Sequence, residues 1–122
     1  MTKAAAIYQF WNGVGLTFYE ENTVPSDAGF PYGTYQLVTD SFDREVAATA
    51  SLWYRGESWT DINAKTEEIS QKISRGGKII PCDGGAIWLK RGQPFAQNMR
   101  GESDDLIKRK YLNITVEFMT AD

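Results

Sequence analysis

The apolar patterns along the chain predict an α+β fold, a single mixed, mostly antiparallel sheet with two helices packed on one face. Three observations carry this expectation. Ile7, Phe10, Trp11 and Val14 recur at helical spacing near the start, and Trp59, Ile62, Ile69 and Ile73 share one side of a second helical stretch. Leu112, Ile114, Val116 and Phe118 alternate with Tyr111, Asn113, Thr115, Glu117 and Met119, the period of a half-buried strand. Between these lie short extended runs bounded by glycine, proline and aspartate.

The elements follow in order. Thr2 can cap the first helix, Ala4 to Ala6 raise its propensity, and Gly13 and Gly15 stop it. Leu16 to Glu21 reads as a short extended piece. The stretch Thr23 to Leu37, TVPSDAGFPYGTYQL, holds two prolines that fix φ and push Val24 and Phe30 away from helix. It predicts a stiff aromatic segment feeding a strand from Gly33 to about Ser41. A turn at Asp40-Ser41-Phe42-Asp43 then leads to a strand from Val46 to Arg55, so these two strands are expected as a β-hairpin. Val46, Ala48, Ala50, Leu52 and Tyr54 form the apolar face of that second strand, and Ala47, Thr49, Ser51, Trp53 and Arg55 the mixed one.

Ser58 with Asp61 predicts a capping box for the second helix, with Glu68 and Lys72 paired one turn apart and Gly76-Gly77 at its end. Lys78 to Cys82, the turn Asp83-Gly84-Gly85, and Ala86 to Arg91 predict another hairpin. Pro81 has no N–H to donate, which puts its strand at a sheet edge or marks a bulge. Gly92 to Asp105, GQPFAQNMRGESDD, reads as a long polar loop with exposed Phe95 and Met99.

A length of 122 residues predicts one domain, 1–122, large enough for a real core. The net charge of −3 argues against a protein that coats duplex DNA, which needs a basic face. Lys108-Arg109-Lys110, the only basic run, reads as a solvated strand entry beside Asp104-Asp105. The start lacks the pattern of a signal peptide and no apolar run approaches membrane-spanning length, so a soluble, cytosolic chain with no membrane partner is expected.

The residue types exclude much chemistry. There is no histidine and a single cysteine, Cys82, so zinc sites and Cys-His nucleophile pairs cannot be built within the chain, and Cys82 reads as a structural thiol. Glu20-Glu21, Glu67-Glu68 and Asp104-Asp105 are adjacent pairs whose side chains diverge on any regular element, which suits surface charge better than an acid–base dyad. Gly13-Val14-Gly15 follows a helix, and Gly76-Gly77-Lys78 ends one, whereas phosphate loops open a helix. The expectation is a non-enzyme with no catalytic residue, cofactor or metal.

The aromatics point elsewhere. Trp11 and Trp59 fall on helix core stripes, but strand alternation sets Trp53 and Trp88 opposite their apolar neighbours. Large aromatics on the outer face of a sheet suggest a second layer or a partner. Phe30, Tyr32, Trp53, Trp88, Arg91, Phe95, Met99 and Arg100 are therefore the candidate subunit or partner contacts.

Several segments also resemble a known group. Ile7-Tyr8-Gln9-Phe10, Val24-Pro25 and Phe30-Pro31-Tyr32-Gly33-Thr34-Tyr35, with Arg91-Gly92-x-Pro94-Phe95-x-Gln97 and Lys108-Arg109-Lys110-Tyr111-Leu112-Asn113, resemble the tail terminator, tail completion or minor capsid proteins of siphophages infecting Gram-positive bacteria. The resemblance implies a mixed sheet with helices on one side. It also implies a homo-oligomeric ring, typically a hexamer, in the virion tail after assembly in the host cytoplasm. That ring caps the tail tube, halts its polymerisation and joins tail to head. Its partners would be the major tail tube protein and the head–tail connector protein, with DNA only as cargo passing the lumen, where an acidic balance avoids sticking to phosphate. Two alternatives stand beside it: a head-side connector or adaptor, and a small ligand-binding domain or cofactor-free enzyme using Asp27, Arg55 and Asp83 behind Phe30 and Tyr32.

Overall fold

The computed structural model describes residues 1–39, 41–42, 44–100 and 104–121, without the side chain of Arg100. The elements are α1 (Lys3–Asn12), β1 (Phe18–Glu20), β2 (Tyr32–Tyr35), β3 (Val46–Arg55), α2 (Thr60–Ile73), β4 (Lys78–Cys82), β5 (Gly85–Arg100) and β6 (Ile107–Thr120). They form an α+β fold around one six-stranded mixed sheet in the order β1-β2-β3-β6-β5-β4. Only β1 and β2 run parallel; every other neighbouring pair is antiparallel. The last strand is central, as its alternation predicts.

Both helices cover the same face. From α1 come Ile7, Phe10 and Trp11, and from α2 come Ile62, Ile69 and Ile73; they meet Leu52, Ile87, Leu89, Leu112, Ile114 and Val116 in one core. Each fully buried Leu or Ile there contributes about 1.5–3 kcal/mol. Trp11 stacks on Phe18, ring centres 4.9 Å apart, which seats α1 over β1. Gly33 makes that seat possible, since a Cβ at this position would lie 2.3 Å from the Phe18 ring. Thr2 caps α1 by accepting from the Ala5 N–H at 3.1 Å, as expected.

Several sequence expectations need correction. The capping box on α2 does not form: Ser58 Oγ accepts the Thr60 N–H at 3.0 Å, and Trp59 precedes the helix without a side-chain cap. Lys72 does not pair with Glu68. It donates to the Gly13 carbonyl at 2.8 Å, and Lys65 donates to the Val14 carbonyl at 2.8 Å while pairing with Glu68 at 2.7 Å. The backbone carbonyls that follow α1 outcompete the helix-surface pair.

The strand expected to reach Ser41 stops at Tyr35. At the next residue the Gln36 side-chain oxygen accepts the Thr49 N–H at 3.2 Å, taking a bond that a continuing ladder would give to backbone. The connection from β2 to β3 therefore spans 36–45, longer than a tight hairpin, and the turn expected at 40–43 lies partly outside the described residues.

The largest correction concerns Gly92 to Asp105. Most of this segment is strand: β5 runs on to Arg100 and stays paired with β6, with a register shift between Arg91 and Ala96. Residues 101–103 of the expected loop lie outside the described residues. Pro94 sits within that shift, on a length of β5 whose other side is free, because β4 pairs only with Gly85 to Leu89. Asn113 closes the irregular stretch by donating to the Pro94 carbonyl at 2.8 Å and to Gln97 Oε1 at 3.3 Å. Pro81 lies on β4 at the edge of the sheet, where its missing N–H costs no ladder bond.

Candidate functional site

No described helix lies on the second face of the sheet, to which strand alternation sends the neighbours of Leu112 and Ile114. Register brings residues from four strands into one row there. Tyr19 on β1 pairs across to Thr34, Tyr32 on β2 to Trp53, and Trp53 on β3 to Arg109 on β6. Tyr111 follows Arg109 by two positions and faces Ser51. At an inter-strand spacing of about 4.8 Å, the row crosses four strands over about 14 Å.

The members of the row touch one another. Tyr19 and Tyr32 meet edge to face at 5.9 Å, Tyr32 and Trp53 are nearly parallel at 6.3 Å, and Phe30 leans on Tyr32 at 5.4 Å. The Arg109 guanidinium lies over Trp53 at 4.7 Å and over Tyr111 at 5.4 Å. Two hydrogen bonds lock the arrangement: Trp53 Nε1 donates to Thr34 Oγ1 at 3.1 Å, and Arg109 Nε donates to Ser51 Oγ at 3.1 Å. Packing of this kind also pushes the Tyr32 hydroxyl above its ordinary pKa, mainly through burial and then through Tyr19. Such a ladder is preorganised, since its rings lose little freedom when something covers them.

Arg109 is the electrostatic centre of this face. Its terminal amino groups have no hydrogen-bond or ion-pair partner among the described residues. A second patch on the same face differs. There Lys90 lies 4.0 Å from the Trp88 ring centre and is neutralised by Glu45 at 2.8 Å and Glu117 at 3.4 Å. The Lys90 hydrogen bond holds the Glu45 carboxyl below the usual range. Trp88 also donates to the Gly76 carbonyl at 3.0 Å, so its polar end is satisfied within the chain.

No protein-family model matches the chain, and no curated protein is similar to it. The site therefore rests on geometry.

The residues singled out from sequence divide into groups. Phe30, Tyr32 and Trp53 come together in the row, and Met99 lies beside it, opposite Arg109 on the same face. Trp88 shares the face but belongs to the neutralised patch. Arg91 turns the other way and donates to Ser70 Oγ of α2 at 2.8 Å. Phe95 is half-buried against the core and not exposed, because β5 carries it onto the helix side. The Arg100 side chain lies outside the described residues.

Sequence reasoning missed Tyr19, Arg109 and Tyr111. Lys108-Arg109-Lys110 is not a solvated strand entry: the three residues are half-buried inside β6 and alternate across it. Lys108 and Lys110 sit 5.8 and 5.6 Å from the half-buried Trp59 ring on the helix side, and Arg109 points to the open face. The signal was present in the alternation of β6, which assigns 109 and 111 to the face opposite Leu112.

The polar cluster imagined for a ligand-binding domain is not assembled. Arg55 pairs with Asp104 at 3.2 Å at one end of the sheet, and Asp83 meets the Met1 amine at 2.5 Å at the other, while Asp27 is exposed. The described grooves lie elsewhere. One of 430 Å³ runs under β4 beside Phe10, Ile80 and Cys82, and another opens next to Trp88 and Phe95. No group of three metal-ligating side chains occurs among the described residues, and no described helix is long and apolar enough to cross a membrane.

Proposed function

We propose that this chain is a structural protein of a siphophage virion of the tail-terminator kind, forming an oligomeric ring that caps the tail tube and joins it to the head. The observation that carries the reading is the uncovered sheet face with its Tyr32–Trp53–Arg109–Tyr111 ladder. Tyrosine, tryptophan and arginine are the residues that dominate binding energy at protein interfaces, and here they are fixed in one row before any partner arrives. The mixed sheet with helices on one side agrees with what the resemblance in sequence implies. The segments carrying that resemblance also contribute to the ladder: Phe30 to Tyr35 supplies two aromatics, and Lys108 to Asn113 supplies Arg109 and Tyr111.

The function asked of such a protein is mechanical. It must add to the end of a polymer and present a surface to which no further tube subunit adds. A rigid sheet suits this because its outer face keeps its shape on binding. The test is tail-tube length. Purified chain added to polymerising tube protein should give shorter tubes with extra density at one end in electron micrographs. An unchanged length distribution with bare ends would rule the reading out.

A further inference from the structure

We infer that the open sheet face of one copy docks on the outward side of α2 of the next copy, with Arg109 set against the carboxylates of that helix. The inference rests on the assembly proposed above and names the two surfaces that would make it. The fold has two layers, so the uncovered face and the outer side of the helix layer lie on opposite sides of the molecule. A contact between two different surfaces is head-to-tail, the type that closes into a ring when the rotation between copies allows.

The charges of the two surfaces are complementary. On the sheet face the one cation without an acidic partner among the described residues is Arg109, since Arg55 is paired with Asp104 and Lys90 with Glu45 and Glu117. On α2, Ile62, Thr66, Ile69 and Ile73 face the core, which turns Ala64, Glu67, Glu68 and Gln71 to solvent. Lys65 neutralises Glu68 at 2.7 Å, whereas Lys72, and Lys110 of β6 in the groove beside Glu67, ion-pair with no carboxylate among the described residues. Lys65 reaches down to the Val14 carbonyl and Lys72 to the Gly13 carbonyl. Asp61 and Glu67 have no ion pair among the described residues.

Contact of the sheet face with its own copy is the competing arrangement. It places Arg109 near Arg109 about a two-fold axis through the ladder, and like charges brought together in an interface are disfavoured. A base or sugar stacking on the ladder is a weaker fit, because Arg109 already occupies a face of Trp53.

Sedimentation velocity of the full chain over a concentration series is the test. The wild type should self-associate. Glu67→Lys combined with Asp61→Lys, both exposed and outside the core, should weaken this about tenfold or more. Arg109→Glu should do the same, with a melting curve to confirm that it folds. Mixing the two charge variants should restore association, because each then offers the surface that the other lacks. A wild type that stays monomeric at its highest soluble concentration would overturn the inference, as would variants that associate like the wild type or a mixture that does not recover. Tube capping that survives these variants would leave the proposed function standing without this interface. Recovery in the mixture without any effect on tubes would leave the interface standing without that function.

Discussion

The two faces of β6 teach different lessons about what a half-buried strand is for. On one side Leu112, Ile114 and Val116 are buried beneath the helices, and their work is finished once the chain folds. On the other, Arg109 and Tyr111 are half-buried, and Arg109 still has donors to offer. The covered face is held together by apolar area removed from water, which is insensitive to small shifts in direction. The open face is held by stacking, a cation over two rings and two side-chain hydrogen bonds, all of which depend on angle. An arrangement so specific adds little to stability, and that contrast can be tested residue by residue.

The largest effect expected is on the covered side. Leu112→Ala leaves a cavity beneath both helices and should cost about 2–5 kcal/mol in urea unfolding. Its chain neighbour Tyr111→Ala, on the open side, should cost about 1 kcal/mol. Equal losses at these two positions would erase the distinction between the faces. Next comes Gly33→Ala, where a methyl group would meet the Phe18 ring; overpacking of this kind costs about 1–3 kcal/mol, seen as a lowered melting temperature. Tyr32→Ala should change stability by less than about 1 kcal/mol while weakening assembly, so light scattering and unfolding should disagree about its severity.

The smallest effect is electrostatic. The Leu106 N–H, and after it Arg55, hold the Asp104 carboxyl below the usual aspartate range. A carboxyl depressed on folding adds stability above its unfolded pKa of about 3.9, and that part is lost as pH falls through the lower folded value. Asp104→Asn should flatten only this acid limb. A wild-type and variant difference that grows above pH 7 would contradict the assignment.

The covered side was largely legible in the sequence. Helical spacing marked Ile7, Phe10 and Trp11, and strict alternation marked β6, because burying one face imposes a period on the residues. The second half of β5 was not legible. Gly92, Pro94 and Asn98 have low strand propensity, and what holds this length in the sheet is the partner strand and the Asn113 bridge, which are not local. The open face was half legible. Trp53 and Tyr32 stood out as aromatics, but Arg109 hid in a basic run that looks like ordinary surface charge. Only the register of β3 against β6 shows that it lies between two rings.

The proposed function turns on whether the open face becomes covered when tail tubes are added to the chain. Hydroxyl-radical footprinting can read this directly, comparing dilute chain with chain bound to tail tubes. Trp11, on the buried side of α1, provides the internal reference. The proposed function predicts that Tyr32, Trp53 and Tyr111 lose reactivity on the tube while Trp11 stays low in both. Unchanged reactivity of the three open-face rings in the presence of tubes would contradict it.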